Sequence, residues 1–249
     1  MKIGVVIPTL NEAPRLPARI AELRADPSVA DIVVVDGGST DDTVEIARGR
    51  GVKVLSCDPG RGRQLALGAG HVAGDVLLFL HADTQFAAGA GAAVVAALEH
   101  DEHAVGGNFR LRFDGGDAFS RWLDGFYAFI RHAGLYYGDS AIFVRRRVYD
   151  AVGAIRPIAL MEDYDFVRRM AKAGRTLNIC EPTLWTSSRR FRGRKPAEIV
   201  WGWVKIHLLY WIGWSPDRLA QMYDSSRQRE RRDVDARDKT GGSSFSAQS

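Results

Sequence analysis

The residues of this chain best suited to chemistry are carboxylates placed just after short apolar runs. Asp36 follows Ile32–Val35 and opens Asp36-Gly37-Gly38-Ser39, and Asp83 follows Val76–Leu80 in His81-Ala82-Asp83. A third group, Glu162-Asp163, stands at the start of a helical pattern. Such carboxylates can accept a hydrogen bond from a nucleotide base N–H, hold a hard divalent cation, or take a proton from a hydroxyl. Each also has a plainer role. Asp36 can shape the Gly-Gly turn, Asp83 can cap a helix near Thr84, and Glu162-Asp163 can complement a helix dipole. By residue type alone Asp165 competes with Asp163.

Basic residues form a second set. Arg61 and Arg63 sit in Pro59-Gly60-Arg61-Gly62-Arg63, a Gly-rich turn opening a helix, which suits ribose or phosphate. Arg189, Arg190, Arg192 and Arg194 cluster further on and can close over a diphosphate or face anionic lipid. Solvated surface charge explains any one of them equally well.

The elements that must position these residues alternate in the first half. Lys2–Ile7, Ile32–Asp36, Val52–Ser56 and Val76–Leu80 read as strands, with helical patterns at Pro14–Arg24, Asp41–Arg50 and Arg63–Ala73. This alternation predicts a mostly parallel sheet with helices on both faces, an α/β fold. Right-handed crossovers place the strand-end loops on one edge, where such sheets bind ligands. Four polar loops fall there: Pro8-Thr9-Leu10-Asn11-Glu12, the loop of Asp36, the loop of Arg61, and His81-Ala82-Asp83. The Ser39-Thr40-Asp41-Asp42 run supplies a hydroxyl cap and first-turn acids for the following helix, with Gly49 and Gly51 at its end. Further on, a helix from Gly89 to His100, a strand at Val105–Phe113, a helix at Phe119–Arg131, a strand at Ala141–Arg145 and a helix at Glu162–Ala173 are expected.

The 249 residues, 46% hydrophobic and 26% charged, suit one α/β domain with a continuous core, expected over 1–224. The net charge of +4 is too small to argue for nucleic acid. Cys57 and Cys180 show no metal-ligand spacing and no disulfide framework, which fits a reducing compartment. No signal peptide precedes the first strand, so a cytoplasmic location is expected. Residues 225–249 turn to Arg, Asp, Ser and Gly and read as a disordered tail. Ile199–Trp214 combines Trp201, Trp203, Tyr210, Trp211 and Trp214 with Lys205 and His207. It is apolar nearly all round yet too short for a comfortable membrane span. An in-plane interfacial helix and burial against the sheet are its two readings.

Taken in order, "VVIPTLNE", "IVVVDGGSTDDT", "GRGRQLALGAG", "LLFLHADT" and "MEDYDFVRRM" resemble glycosyltransferase family 2, with the nucleotide-sugar-binding GT-A fold. The resemblance runs from Ile3 to about Arg194, nearest to small bacterial enzymes thought to glycosylate lipid-like acceptors. It implies transfer of a sugar from a nucleotide diphosphate, a UDP-sugar, to an acceptor hydroxyl with inversion. Asp36 then contacts the base, with Pro8, Thr9, Glu12, Arg61, Arg63, His81 and Ala82 on the donor. Asp83 holds Mn²⁺ or Mg²⁺, and Asp163 is the general base. Asp139, Glu162, Arg190 and Arg192 fall on the acceptor or diphosphate side. His81 departs from the family's Asp-X-Asp, which weakens its own assignment but keeps Asp83, and His207 is a second possible metal ligand. The interfacial helix makes the inner face of the cell membrane a possible peripheral partner.

Two other functions compete. A sugar nucleotidyltransferase shares sheet, nucleotide and metal but calls for a Gly-rich basic loop after the first strand, where this loop is acidic. A non-catalytic membrane-associated scaffold gains room from His81 and loses it to Asp36, Asp83 and Asp163. A dinucleotide oxidoreductase is excluded, because the first loop lacks Gly-X-Gly-X-X-Gly.

Overall fold

The structure, a computed structural model, describes residues 1–132, 134, 136–191 and 196–223. The chain divides into two compact units, Met1–Ser188 and Arg189–Ser249. In the first unit a seven-stranded sheet runs in the order β3-β2-β1-β4-β6-β5-β7. Its strands are β1 (Ile3–Thr9), β2 (Val29–Asp36), β3 (Lys53–Ser56), β4 (Val76–Phe79), β5 (Ala104–Phe113), β6 (Ile142–Arg145) and β7 (Arg175–Thr186). The helices are α1 (Leu16–Ala25), α2 (Thr43–Gly49), α3 (Arg61–Ala69), α4 (Ala90–His100), α5 (Ala118–His132), α6 (Arg146–Val152) and α7 (Glu162–Ala173).

Strands β3, β2, β1 and β4 are mutually parallel. The inner three are buried on both faces: Ile3, Val5, Val6 and Ile7 in β1, Val33–Val35 in β2, and all of β4, are closed to solvent, as a helix-covered parallel sheet requires, whereas the edge strand β3 is half-buried. The expected elements of this half are all present, with ends shifted by a few residues. The hydroxyl cap of α2 is not: Asp42 occupies the N-cap position without a side-chain cap bond. Ser39 is engaged elsewhere, donating to the Asp36 carboxylate and accepting from the Asn11 N–H. Its donor and an acceptor lone pair are thus both used between the two loops, not at the start of α2.

Strand β6 is the departure from the parallel plan. It runs antiparallel to both β4 and β5, with Phe79 opposite Ile142. Its first residue therefore lies beside the last of β4, and the segment leading into β6 meets the loop leaving β4. β7, a twelve-residue edge strand parallel to β5, and the short α6 were not anticipated. On the core side Phe79 of β4, Tyr149 of α6 and Phe166 of α7 pack ring against ring, with centroids 5.4 to 6.1 Å apart. Phe166 is fully buried. Its truncation is worth roughly 3–5 kcal/mol, and the contact fixes the start of α7 over the end of β4.

The second unit holds a 3-10 turn at Arg189–Phe191 and α8 (Pro196–Trp211), followed by helical residues 216–223. In α8 only Ile199 and Ile206 are buried, a one-residue-wide stripe at seven-residue spacing. Trp201, Leu208, Trp211, Ile212 and Trp214 are exposed, Trp201 at 66%. Residues 225–249, the expected tail, lie outside the described residues.

Candidate active site

The loops after β1 and β2 are stitched to one another. Asn11 takes a left-handed conformation (φ 56°), its N–H donates to Ser39 Oγ, and its Oδ1 accepts from the Thr40 N–H at 2.8 Å. The Glu12 N–H donates to Thr43 Oγ1 at 2.9 Å and the Ala13 N–H to Asp41 Oδ2 at 3.2 Å. Gln64, a buried amide of α3, donates through Nε2 to the carbonyls of Thr9 and Val35, both at 2.8 Å. It thereby clamps the ends of both strands. The Thr43 hydroxyl, then the backbone N–H groups of Ala13 and Thr43, donate to the Asp41 carboxyl and hold it below the ordinary aspartate value, against slight desolvation.

Asp36 lies at the centre of this latch and is buried. Its Oδ2 accepts from the Gly38 and Ser39 N–H groups at 2.9 Å, and its Oδ1 from Ser39 Oγ. The turn-shaping role is thus filled. The fourth lone-pair site is shared, because the one Thr9 hydroxyl proton can reach Asp36 Oδ1 at 3.3 Å or the Val35 carbonyl at 3.4 Å. A ligand N–H can take that place if the hydroxyl turns to Val35. Pro8 pairs with Val35 in the sheet.

His81-Ala82-Asp83 forms a turn closed by the Thr84 N–H on the His81 carbonyl at 3.1 Å, with Ala82 buried. No helix begins here, since α4 opens at Ala90 behind Gly89, so Asp83 is not a helix cap. The turn is braced from three sides. Thr84 Oγ1 lies 3.0 Å from Thr186 Oγ1, the Gln85 N–H donates to the Trp185 carbonyl at 2.7 Å, and the Phe86 N–H donates to Glu22 at 2.8 Å. Buried Arg19, paired with Glu22, also feels the charge of Asp83; burial outweighs both and lowers its pKa.

Gly138 joins this turn to the start of α7. Its N–H donates to Asp163 Oδ2 at 2.8 Å. A methyl group placed on it would lie 3.3 Å from both Asp163 Oδ2 and His81 Nε2. His81 and Asp163, 82 positions apart in sequence, thus face each other across a glycine, with little room between. Asp163 is buried, whereas Asp165 pairs with Arg156 at 3.1 Å and Arg169 at 2.9 Å. The two aspartates are separated by role: one faces the loops, the other braces its helix.

Arg61 enters from the start of α3 and pairs with Glu162 through Nε, with its Nη2 3.6 Å from Asp163 Oδ2. Gly62 makes this approach possible, because a Cβ there would come within 2.5 Å of the Arg156 carbonyl and 3.2 Å of Glu162 Cβ. Burial works against the Arg61 charge, but Glu162, Asp163 and Asp139 outweigh it and raise its pKa. Glu162 is pushed up by its own burial, opposed by Arg61 and reinforced by Asp163. Asp139 is buried beside them and accepts from Tyr127 Oη at 2.8 Å. The Tyr137 phenol is raised by burial and then by the charges of Asp163, Tyr164 and Asp139. Two further left-handed residues, Ala141 (φ 53°) and Met161 (φ 68°), flank the 137–140 turn and α7. Non-glycine strain of this kind costs on the order of 1–3 kcal/mol per residue and collects at functional sites.

Other expected residues stand apart. Arg63 is exposed, 3.5 Å from Asp58. Only the backbone of Arg190 is described, and Arg192 lies outside the described residues. His207 belongs to the second unit, its Nδ1 2.8 Å from the Trp203 carbonyl. Among the described residues no three His, Cys, Asp or Glu side chains converge as a metal cage. The His81–Asp83 turn supplies one loop carboxylate, Asp83, while the His81 Nε2 is turned toward Gly138 and Asp163. That carboxylate fits a hard ion such as Mn²⁺ or Mg²⁺ that takes further oxygens from a bound diphosphate. Sequence reasoning missed Gln64, Arg19 and Tyr127; a glutamine at an inward position of α3 was the available sign.

Comparison with known proteins agrees with this fold. A mannosyltransferase from Pyrobaculum calidifontis, solved with GDP-Man and Mn²⁺, superposes with TM-score 0.65 at 16% identity, covering 91% of this chain and 69% of that one. Glucosyl-3-phosphoglycerate synthase from Mycobacterium tuberculosis, solved with Mn²⁺, UDP and phosphoglyceric acid, gives TM-score 0.61 at 20% identity, covering 85% and 78%. The 4,4'-diaponeurosporenoate glycosyltransferase of Staphylococcus haemolyticus is 34% identical over 91 residues, 33% of this chain and 24% of that protein's length. The profile of "Glycosyl transferase family 2" matches residues 4–145. The sheet, the four strand-end loops and this match agree: the chain has the GT-A fold and belongs to glycosyl transferase family 2.

Proposed function

We propose that this protein transfers a sugar from a nucleotide diphosphate, a UDP-sugar, to an acceptor hydroxyl with inversion. The observation that carries the reading is the meeting of Asp163 and the His81–Asp83 turn across Gly138, at the edge where Asp36 ends β2. A donor base reaches Asp36 beside Thr9 and Pro8, with Glu12 in the same loop. Asp83 would hold the divalent ion, which supplies neutralisation of charge on the leaving diphosphate.

Asp163 accepts the acceptor hydroxyl proton as that oxygen forms its bond to the anomeric carbon and the bond to diphosphate oxygen breaks. Gly138 N–H and Arg61 hold the carboxylate in place, while Glu162 anchors Arg61. The buried Asp139 borders the acceptor side. The test is a panel of UDP-, GDP- and TDP-sugars with Mn²⁺ or Mg²⁺, scored for metal-dependent binding and slow hydrolysis. Metal-dependent binding of one donor class is expected. Equal indifference to every nucleotide sugar would sink the reading.

A lipid-like acceptor at an anionic membrane face is supported by the exposed Trp201, Trp211, Ile212 and Trp214. Indole rings favour the membrane–water interface, and neighbouring arginines add about 1 kcal/mol each at low salt. Among the described residues no helix is long and apolar enough to cross a membrane. Cosedimentation with anionic vesicles and a blue shift of tryptophan emission are expected. Protein that stays wholly in the supernatant, with unmoved emission, removes this part.

A further inference from the structure

Most buried or half-buried arginines here have their charge or their donors satisfied. Arg19 pairs with Glu22, Arg61 with Glu162, and Arg169 with Asp165. Arg145 and Arg146 donate to backbone carbonyls through several nitrogens. Arg131, near the end of α5, differs. Its Nε donates to Asn108 Oδ1 at 2.5 Å and its guanidinium lies over the Tyr136 ring, 4.5 Å from the centroid. Among the described residues both partners are neutral. Burial lowers the Arg131 pKa and no carboxylate offsets it. A desolvated cation with donors to spare is an incomplete anion site.

Arg131 lines a cavity between β5, α5 and β7, together with Asn108, Arg110, Tyr127, Ser140 and Asn178. Amide and hydroxyl groups beside a guanidinium suit a carboxylate or phosphate. The cavity shares a wall with the site described above. In three consecutive residues, Gly138 binds Asp163, Asp139 binds Tyr127, and Ser140 lines the cavity. Phe109, Leu111 and Ile130 supply an apolar flank.

We propose that this cavity receives the acidic group, carboxylate or phosphate, of the acceptor, and that Arg131 selects for it. The proposal rests on the transferase reading, which makes the Asp163 side the acceptor side. The test titrates the full chain with inorganic phosphate and with acetate, and in parallel with a nucleotide sugar. Arg131→Gln should weaken binding of the preferred anion roughly 10- to 100-fold, Arg131→Lys should recover part of it, and nucleotide-sugar affinity should not move. Which of phosphate and acetate binds names the acid. Hexanoate in place of acetate tells a lipid-like acceptor from a small one, gaining up to about fourfold per buried methylene. Should Arg131→Gln fail to fold, phenylglyoxal labelling of the wild-type chain decides, since the anion should protect Arg131. Equal anion binding by wild type and variant, or none by wild type, or no protection of Arg131, overturns the cavity while donor binding stands. Absent donor binding takes the acceptor role down together with the transferase reading.

Discussion

The loops after β1 and β2 and the turn leading into β6 are built on different physics. The loops after β1 and β2 hold their shape with hydrogen bonds between residues that are near in space and simple in charge: Asn11 with Ser39 and Thr40, Asp41 with Thr43 and Ala13, Asp36 with its own turn. The turn at 137–141 and the start of α7 instead hold buried charges against one another, with Arg61 between Glu162 and Asp163 and with Ala141 and Met161 in strained backbone. One side is preformed for binding and tolerates loss piecemeal. The other concentrates charge where the proposed reaction moves a proton, so single changes there should cost more.

The largest contrast should come from Asp163 and Asp165. Asp163→Asn keeps size and polarity but cannot accept a proton, so turnover should fall on the order of 10²–10⁴-fold with donor affinity barely changed. Asp165→Asn should leave turnover near normal and lower the melting temperature, because it loosens Arg156 and Arg169. The reverse pattern in steady-state rates would place the base two residues later.

Next in size is Gly138→Ala. Its methyl would press on Asp163 and His81 at 3.3 Å, and displacement of this order costs about 10- to 100-fold in rate. An unchanged rate in a folded variant would show that the two groups need no such closeness. On the donor side Asp83→Ala should abolish the metal-induced tightening of nucleotide diphosphate binding without unfolding the chain. Asp36→Ala should weaken nucleotide with or without metal and also lower stability, since at least three hydrogen bonds go with it. Calorimetry with and without Mn²⁺ separates the two.

The two regions should also fail at opposite ends of the pH scale. Burial pushes the Tyr136 phenol up to about 12 from 10.0. A raised pKa gives stability that is complete below pH 10 and lost as pH rises through 12, on the order of 2–3 kcal/mol. Tyr136→Phe should flatten that alkaline limb in a denaturant series. Asp41 is held low, so its contribution is present above the ordinary aspartate value and lost as pH falls through the lowered one. Asp41→Asn should flatten the acid limb, by the smallest amount of the set because the group is only half-buried. Limbs that do not separate in this way would mean that the regions do not unfold as distinct electrostatic units.

Much of the first half was legible because its signals are local. Ile32–Asp36 and Val76–Leu80 read as strands, and their loops follow directly. β7 was not legible: Arg175–Thr186 alternates poorly, carries Pro182 and shows solvent one side, as an edge strand may. The Ser39 cap failed because the Asn11 N–H, from the loop after β1, takes the acceptor side of that hydroxyl while its proton goes to Asp36. For Ile199–Trp214 the sequence left an interfacial helix and burial against the sheet open, and the described chain leaves Trp201 and Trp211 exposed, as the first reading needs.

By itself the sequence determined a parallel half-sheet with polar loops on one edge, because apolar runs at this spacing and right-handed crossovers permit little else. It also determined which carboxylates stand at strand and helix ends. Only the tertiary structure decided what those carboxylates meet. β6 runs antiparallel, and that direction alone brings Gly138 to the end of β4 and sets Asp163 opposite His81. Arg61 reaches Glu162 across 101 positions because Gly62 lets α3 approach the segment before α7. Strand direction and close helix approach are set by pairing and packing between distant segments, and no window of neighbouring residues carries that information.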